Sequence, residues 1–102
     1  MLEDKSIIIT GAGSGIGRST SVLAANYGAK IVCVDLSESV QETAEIIRES
    51  GGKAIAIQAD VSSEDSVAGF VDQAISEFKK IDGIYANAGV SGGSKPFSEL
   101  TV

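Results

Sequence analysis

Thr10-Gly11-Ala12-Gly13-Ser14-Gly15-Ile16-Gly17 is the stretch best equipped for chemistry. Its glycines permit a tight turn and let a bulky group come close to the backbone. Where such a turn opens a helix, the first N–H groups have no internal acceptor, and the helix dipole adds partial positive charge. An anion, typically a pyrophosphate, fits that place. Asp35 follows about 20 residues later, the spacing at which a dinucleotide site sets an acceptor for a ribose 2′-OH. Asp60 and Asn87 are further polar residues that close apolar runs. Each also has an ordinary structural use, Asp60 as a solvated turn residue or helix cap and Asn87 as a side chain tying strand ends together. A glycine cluster alone serves equally well as a linker, so its surroundings decide.

Those surroundings alternate between two periods. Ser6-Ile7-Ile8-Ile9 is β-branched and reads as a buried strand. A first helix is expected from about Ser14 to Tyr27, with Ile16, Thr20, Leu23, Ala24 and Tyr27 on its apolar face and Gly28 ending it. Ala29–Val34 forms a second strand that ends in Asp35. Ser39 with Glu42 suggests a capping box for a second helix, whose Val40, Ala44 and Ile47 face inward and which Gly51-Gly52 stops. Glu42, Glu45 and Glu49 fall on its solvated side. Ala54–Ile57 is a third strand, closing at Gln58-Ala59-Asp60. Ser62 is the expected cap of a third helix, with Asp65 in its first turn. That helix carries the stripe Val67, Phe70, Val71, Ala74, Phe78 and has Lys79-Lys80 at its negative end. Ile84-Tyr85-Ala86 begins a fourth strand, with Tyr85 a core residue, and 90–102 reads as a terminal loop.

Strands alternating with helices imply a parallel sheet joined by right-handed crossovers. The fold expected is a three-layer, Rossmann-like α/β half domain over 1–102, with strand order 3-2-1-4 and a switch point between strands one and four. Ligands bind beyond the carboxyl ends of strands at such a point. Gly11–Gly17, Asp35, Asp60 and Asn87 all fall at those ends, and this convergence outweighs any one motif.

Composition narrows the choice of function. The chain has 102 residues, 43% hydrophobic and 22% charged, an ordinary globular mix. A net charge of −6 argues against nucleic acid as a partner. There is no histidine, which removes His-based triads and most catalytic zinc sites. The single cysteine, Cys33, reads as a small buried apolar residue within the second strand. Met1-Leu2-Glu3-Asp4 has no signal-peptide pattern and no apolar run is long enough to span a bilayer, so a cytoplasmic protein without membrane partners is expected.

Three motifs together resemble the short-chain dehydrogenase/reductase family. Thr10–Gly17 is similar to its Thr-Gly-x-x-x-Gly-x-Gly cofactor motif, Asp60-Val61 to its adenine-binding pair, and Asn87-Ala88-Gly89 to its Asn-Ala-Gly motif. Ala86 stands where the family often has a second Asn. The resemblance implies a nicotinamide dinucleotide. Gly11 and Gly17 would shape the turn, and Ser14, Gly15 and Ile16 would line the phosphates and the adenosine ribose. Asp35 would accept from the ribose hydroxyls, with Leu36 flanking the adenine. Asp60 and Val61 would meet the adenine edge, and Asn87, Ala88 and Gly89 would lie along the middle of the cofactor. Asp35, with no basic residue at 36 or 37, implies NAD rather than NADP.

The family's hydride chemistry uses a Ser and a Tyr-x-x-x-Lys. Here four residues beyond Tyr27 is Ile31, and four beyond Tyr85 is Gly89. The chain therefore reads as the N-terminal, cofactor-binding half of such an enzyme, truncated before its catalytic part and inactive by itself. The alternative is a non-enzymatic nucleotide-binding or partner-binding α/β module. A receiver-type domain is the weaker rival, because it needs acids where Thr10-Gly11 stands. The coding sequence beyond Val102 separates enzyme from module. Handedness puts helices one and two on one face and helix three on the other, so the helix-three side is expected to be under-covered beside Ile7, Ile8 or Ile9. With strand four as an edge, a homo-oligomer is expected.

Overall fold

The first strand is apolar on both sides, as a parallel strand covered on both faces requires. In the computed structural model, which describes residues 2–86, it is β1 (Ser6–Thr10). It is followed by α1 (Gly15–Asn26), β2 (Lys30–Asp35), α2 (Val40–Glu49), β3 (Lys53–Gln58), α3 (Glu64–Phe78) and β4 (Gly83–Ala86). The sheet runs β3-β2-β1-β4, and every pairing is parallel. This is a Rossmann-like α/β fold in the expected order. Asn87, Ala88, Gly89 and the 90–102 segment lie outside the described residues.

Alternation along the strands sends Ile9, Ile31, Cys33 and Ala54 to one face, where Val40, Ala44 and Ile47 of α2 meet them. Ile8, Val32, Val34 and Ile57 go to the other, under Phe70, Ala74 and Phe78 of α3. The expected stripes of α2 and α3 therefore hold. So do the stops: Gly28 and Gly51 adopt φ of 100° and 94° just past their helices.

The face of α1 is different from the expectation. Ile16, Leu23 and Tyr27 are exposed, and Gly17 and Ser21 are the buried residues. Small residues win because α1 lies close on the turn that leaves β1: a Cβ on Gly17 would lie 1.8 Å from Gly11 O, and larger side chains would hold the helix away. The expected capping box of α2 is also absent. Ser39 makes no side-chain cap; its hydroxyl pairs with Ser37 Oγ at 3.0 Å, and Glu42 pairs with Arg18. At α3 the cap is Ser63, one residue later than expected, accepting from Ser66 N at 3.3 Å. Ser62 is instead engaged by Asp60.

A reciprocal clasp fastens the entry to β4. Ser6 N donates to Asp82 Oδ2 at 2.8 Å while Asp82 N donates to Ser6 O at 2.7 Å. Among the described residues, Ile84, which shares the face of Ile8, is exposed on the α3 side, and a further under-covered area lies, against expectation, on the α1 side. A hollow of about 610 Å³ opens there, with Leu2, Ile7, Ile9, Ala24 and Tyr85 in its lining. Ile8, on the α3 side, is fully buried. The reason is lateral: α1 and α2 sit over β1, β2 and β3, whereas α3 reaches across to Ile8, so the β1–β4 flank is open beside α1.

Candidate functional site

The site is assembled at the carboxyl ends of β1, β2 and β3. Gly11 and Gly15 take φ of 66° and 57°, which turn the chain from β1 into α1. A Cβ on Gly17 would lie 1.8 Å from the carbonyl oxygen of Gly11, so the last glycine lets α1 begin directly on the turn. Gly15 meets nothing within 4 Å and looks onto open space. Ser14 is the N-cap but makes no side-chain cap bond, and there is no acid in the first turn. The first turn of α1 thus has neither a side-chain cap nor an acid of its own, which leaves its N–H groups for an anion.

Asp35 stands across from this turn at the end of β2. Its Oδ2 accepts from Gly13 N at 2.7 Å and its Oδ1 from Ser37 N at 3.1 Å. Each oxygen keeps a lone pair for a further donor. Gly13 was not among the expected site residues. A Cβ there would meet Ser39 Oγ at 2.5 Å and Asp35 Oδ2 at 2.7 Å. The signal for it was present in the alternation of the glycines, one of which the expected motif leaves free to vary.

Leu36 and Ile16 are two-thirds exposed apolar residues flanking the Gly13–Asp35 contact in sequence, suited to lie against a flat ring. β3 joins the edge through Ala59 N, which donates to Asp35 O at 2.9 Å, and Gln58 Nε2, which donates to Leu36 O at 3.0 Å. Asp60 is exposed, and its Oδ1 accepts from Ser62 Oγ at 2.6 Å and Ser62 N at 2.9 Å. Those bonds hold its carboxyl below the usual carboxylate range, so it is an ionised acceptor that also closes the turn into α3. Val61 packs on the α3-side core. Gly11, Ser14, Gly15, Ile16, Gly17, Asp35, Leu36, Asp60 and Val61 are thus gathered on one edge. Asn87, Ala88 and Gly89 lie outside the described residues.

Among the described residues, the cysteine and the two tyrosines lie away from this edge. Cys33 is fully buried in β2, and desolvation pushes its thiol up to about 12, so it carries no thiolate. Tyr27 closes α1 at the opposite end of the sheet, and Tyr85 packs half-buried against the α1-side core. The assembled edge can bind and orient an anionic, hydroxyl-bearing ligand.

Comparison with known proteins agrees with this geometry. The family model described as short chain dehydrogenase matches residues 5–102, and the chain belongs to that family. It is 41% identical over 95 residues to cis-4-hydroxycyclohexanecarboxylate dehydrogenase of Sinomonas cyclohexanicum, covering 93% of this chain and 38% of that protein. A solved 7α-hydroxysteroid dehydrogenase complexed with NADH and 7-oxo glycochenodeoxycholic acid superposes with a TM-score of 0.86 at 39% identity, over 94% of this chain and 38% of the other. An NAD⁺-bound xylitol dehydrogenase gives a TM-score of 0.85 at 36% identity, over 89% and 35%. The chain therefore spans well under half the length of these relatives. Among the described residues, no helix is long and apolar enough to cross a membrane.

Proposed function

We propose that this chain is the NAD-binding portion of a short-chain oxidoreductase that moves hydride between nicotinamide and an alcohol or carbonyl. The observation that carries this reading is the Asp35 carboxylate, bonded at 2.7 Å to the N–H of Gly13 inside the glycine turn. A carboxylate in that place takes a hydrogen bond from a free ribose 2′-OH and repels a 2′-phosphate. The uncapped first turn of α1 receives the pyrophosphate, with Ile16 and Leu36 against the adenosine and Asp60 and Val61 at the adenine edge. Asn87, Ala88 and Gly89 serve the central part of the cofactor. The NAD⁺ and NADH held by the xylitol and 7α-hydroxysteroid dehydrogenases support the choice of cofactor.

Chemistry belongs to residues this chain does not hold. Neither Tyr27 nor Tyr85 has a lysine four residues on, so neither tyrosine has the neighbour that would fit it to give or take the substrate proton. The 102 residues by themselves are expected to bind cofactor without turnover, and to work in the cytoplasm as part of a longer protein. Self-association through the β4 edge or the hollow beside α1 belongs to the same reading.

Calorimetric titration of NAD⁺ and NADP⁺ tests it. NAD⁺ is expected to bind at least about tenfold more tightly, a difference of about 1.4 kcal/mol. Asp35→Ala should bring the two affinities together. Tighter binding of NADP⁺, or no binding of either, would overturn the reading.

A further inference from the structure

The peptide unit between Ala12 and Gly13 is gripped at both ends. Its N–H donates to Asp35 Oδ2 at 2.7 Å. Its carbonyl accepts from Thr43 Oγ1, also at 2.7 Å. Thr43 belongs to α2, 31 residues away in sequence, and is fully buried. A hydroxyl has one proton to give and two lone pairs. Arg18 Nε donates to Thr43 Oγ1 at 2.9 Å, which occupies a lone pair and leaves the proton for Ala12 O. Arg18 is itself held, because its Nη2 donates to Ser39 O and Glu42 Oε1, each at 3.2 Å. A continuous chain of bonds therefore joins the first turn of α2 to the Asp35 carboxylate through one peptide plane.

On the Ala12 side the backbone is also tied to β2, Ala12 N donating to Val34 O at 3.0 Å, so the freedom left to the plane is on the Gly13 side. Gly13 has no side chain to restrict rotation, and its neighbour Asp35 sits at the lip of the site. We propose that Thr43 and Arg18 are positioning residues for cofactor selectivity. By fixing the Ala12–Gly13 plane they keep its N–H on Asp35 Oδ2, and so hold the carboxylate where it accepts from a 2′-OH and repels a 2′-phosphate. With the plane released, Oδ2 loses its anchor, the carboxylate pivots about the remaining bond from Ser37 N to Oδ1, and its discrimination falls. This rests on the dinucleotide reading of the site. Arg18, in the first turn of α1, is thereby turned toward α2: its three hydrogen bonds go to Thr43, Ser39 and Glu42.

The test is the ratio of NADP⁺ to NAD⁺ dissociation constants for the protein as expressed from its gene, with thermal midpoints recorded for each variant. Thr43→Val keeps the shape and removes both the donor and the acceptor. It should lower the ratio at least about fivefold, whereas Thr43→Ser, which keeps the hydroxyl, should stay within about twofold of wild type. Arg18→Met, which frees the hydroxyl to rotate, should fall between them. General loosening of the fold weakens both cofactors together and leaves the ratio alone. A folded Thr43→Val protein with the wild-type ratio would overturn the proposal. If that variant does not fold, Arg18→Met decides, and an unchanged ratio there overturns it equally. Failure of the dinucleotide reading itself would appear in the wild type, as no binding or no preference, and would take the proposal with it.

Discussion

Gly17 and Gly15 need glycine for different reasons, and alanine separates them. At Gly17 the obstacle is backbone: a Cβ would sit 1.8 Å from Gly11 O and 2.6 Å from Gly11 C. Neither atom can turn aside, so α1 must back away from the turn it opens. Gly17→Ala is expected to cost stability at the upper end of about 1–3 kcal/mol, as overpacking does. At Gly15 space is open, and the cost is only the φ of 57°, about 1 kcal/mol for an L-residue held in that region. Urea unfolding of both variants checks this, and equal midpoints would contradict it. Asp35 works in the opposite sense. Its value is not in what it excludes but in having both oxygens anchored while a lone pair on each is left for a ligand.

Among the elements, β4 depends most on a single side chain. Four of its residues, Gly83–Ala86, are described, and its entry is held to β1 by the Ser6–Asp82 clasp. The hydrogen bond from Ser6 N is the main cause that holds the Asp82 carboxyl below the usual range, with Lys80 Nζ at 3.2 Å adding to it. The folded pKa is thus below the unfolded one, which is about 3.9. The stabilisation is fully present above the unfolded value and is lost as pH falls through the folded one. Wild type is therefore expected to be more stable than Asp82→Asn at neutral pH, with the gap closing below about pH 4 as the carboxyl takes up its proton. Denaturation midpoints across pH 2.5–7 would show it; a gap independent of pH would place the stabilisation elsewhere.

At the scale of the molecule, the described residues leave apolar surface on two sides. Ile84 of β4 is 38% exposed, and Leu23 and Tyr27 of α1 are about half exposed. The hollow lined by Leu2, Ile7, Ile9 and Tyr85 adjoins the same flank. An unpaired strand edge next to apolar surface favours association. We expect the 102-residue chain to self-associate or to aggregate, and sedimentation at several concentrations measures this. A folded monomer at high micromolar concentration, with a sharp unfolding transition, would refute it. The relatives are more than twice as long as the part this chain matches. A longer protein carrying this chain should accordingly lose the tendency.

Local chemistry made much of this legible in the sequence. The Ile7-Ile8-Ile9 and Ile31–Val34 runs, the glycine stops at Gly28 and Gly51, and the α3 stripe each report a backbone preference or a burial period, which act within a few residues. The strand order follows from the doubly-wound pattern that such alternation implies, and Asp35 follows from its spacing to the turn. Tertiary structure decided what local pattern cannot encode. The inward face of α1 is set by how closely that helix approaches the sheet, so Gly17 and Ser21 displaced Ile16, Leu23 and Tyr27. Ser39 and Glu42 left the cap because partners from outside the helix, Ser37 and Arg18, competed for them. Gly13, Thr43 and Arg18 entered the site through bonds spanning 22 to 31 residues. Such bonds depend on where α2 docks, and that docking is a balance of the whole core.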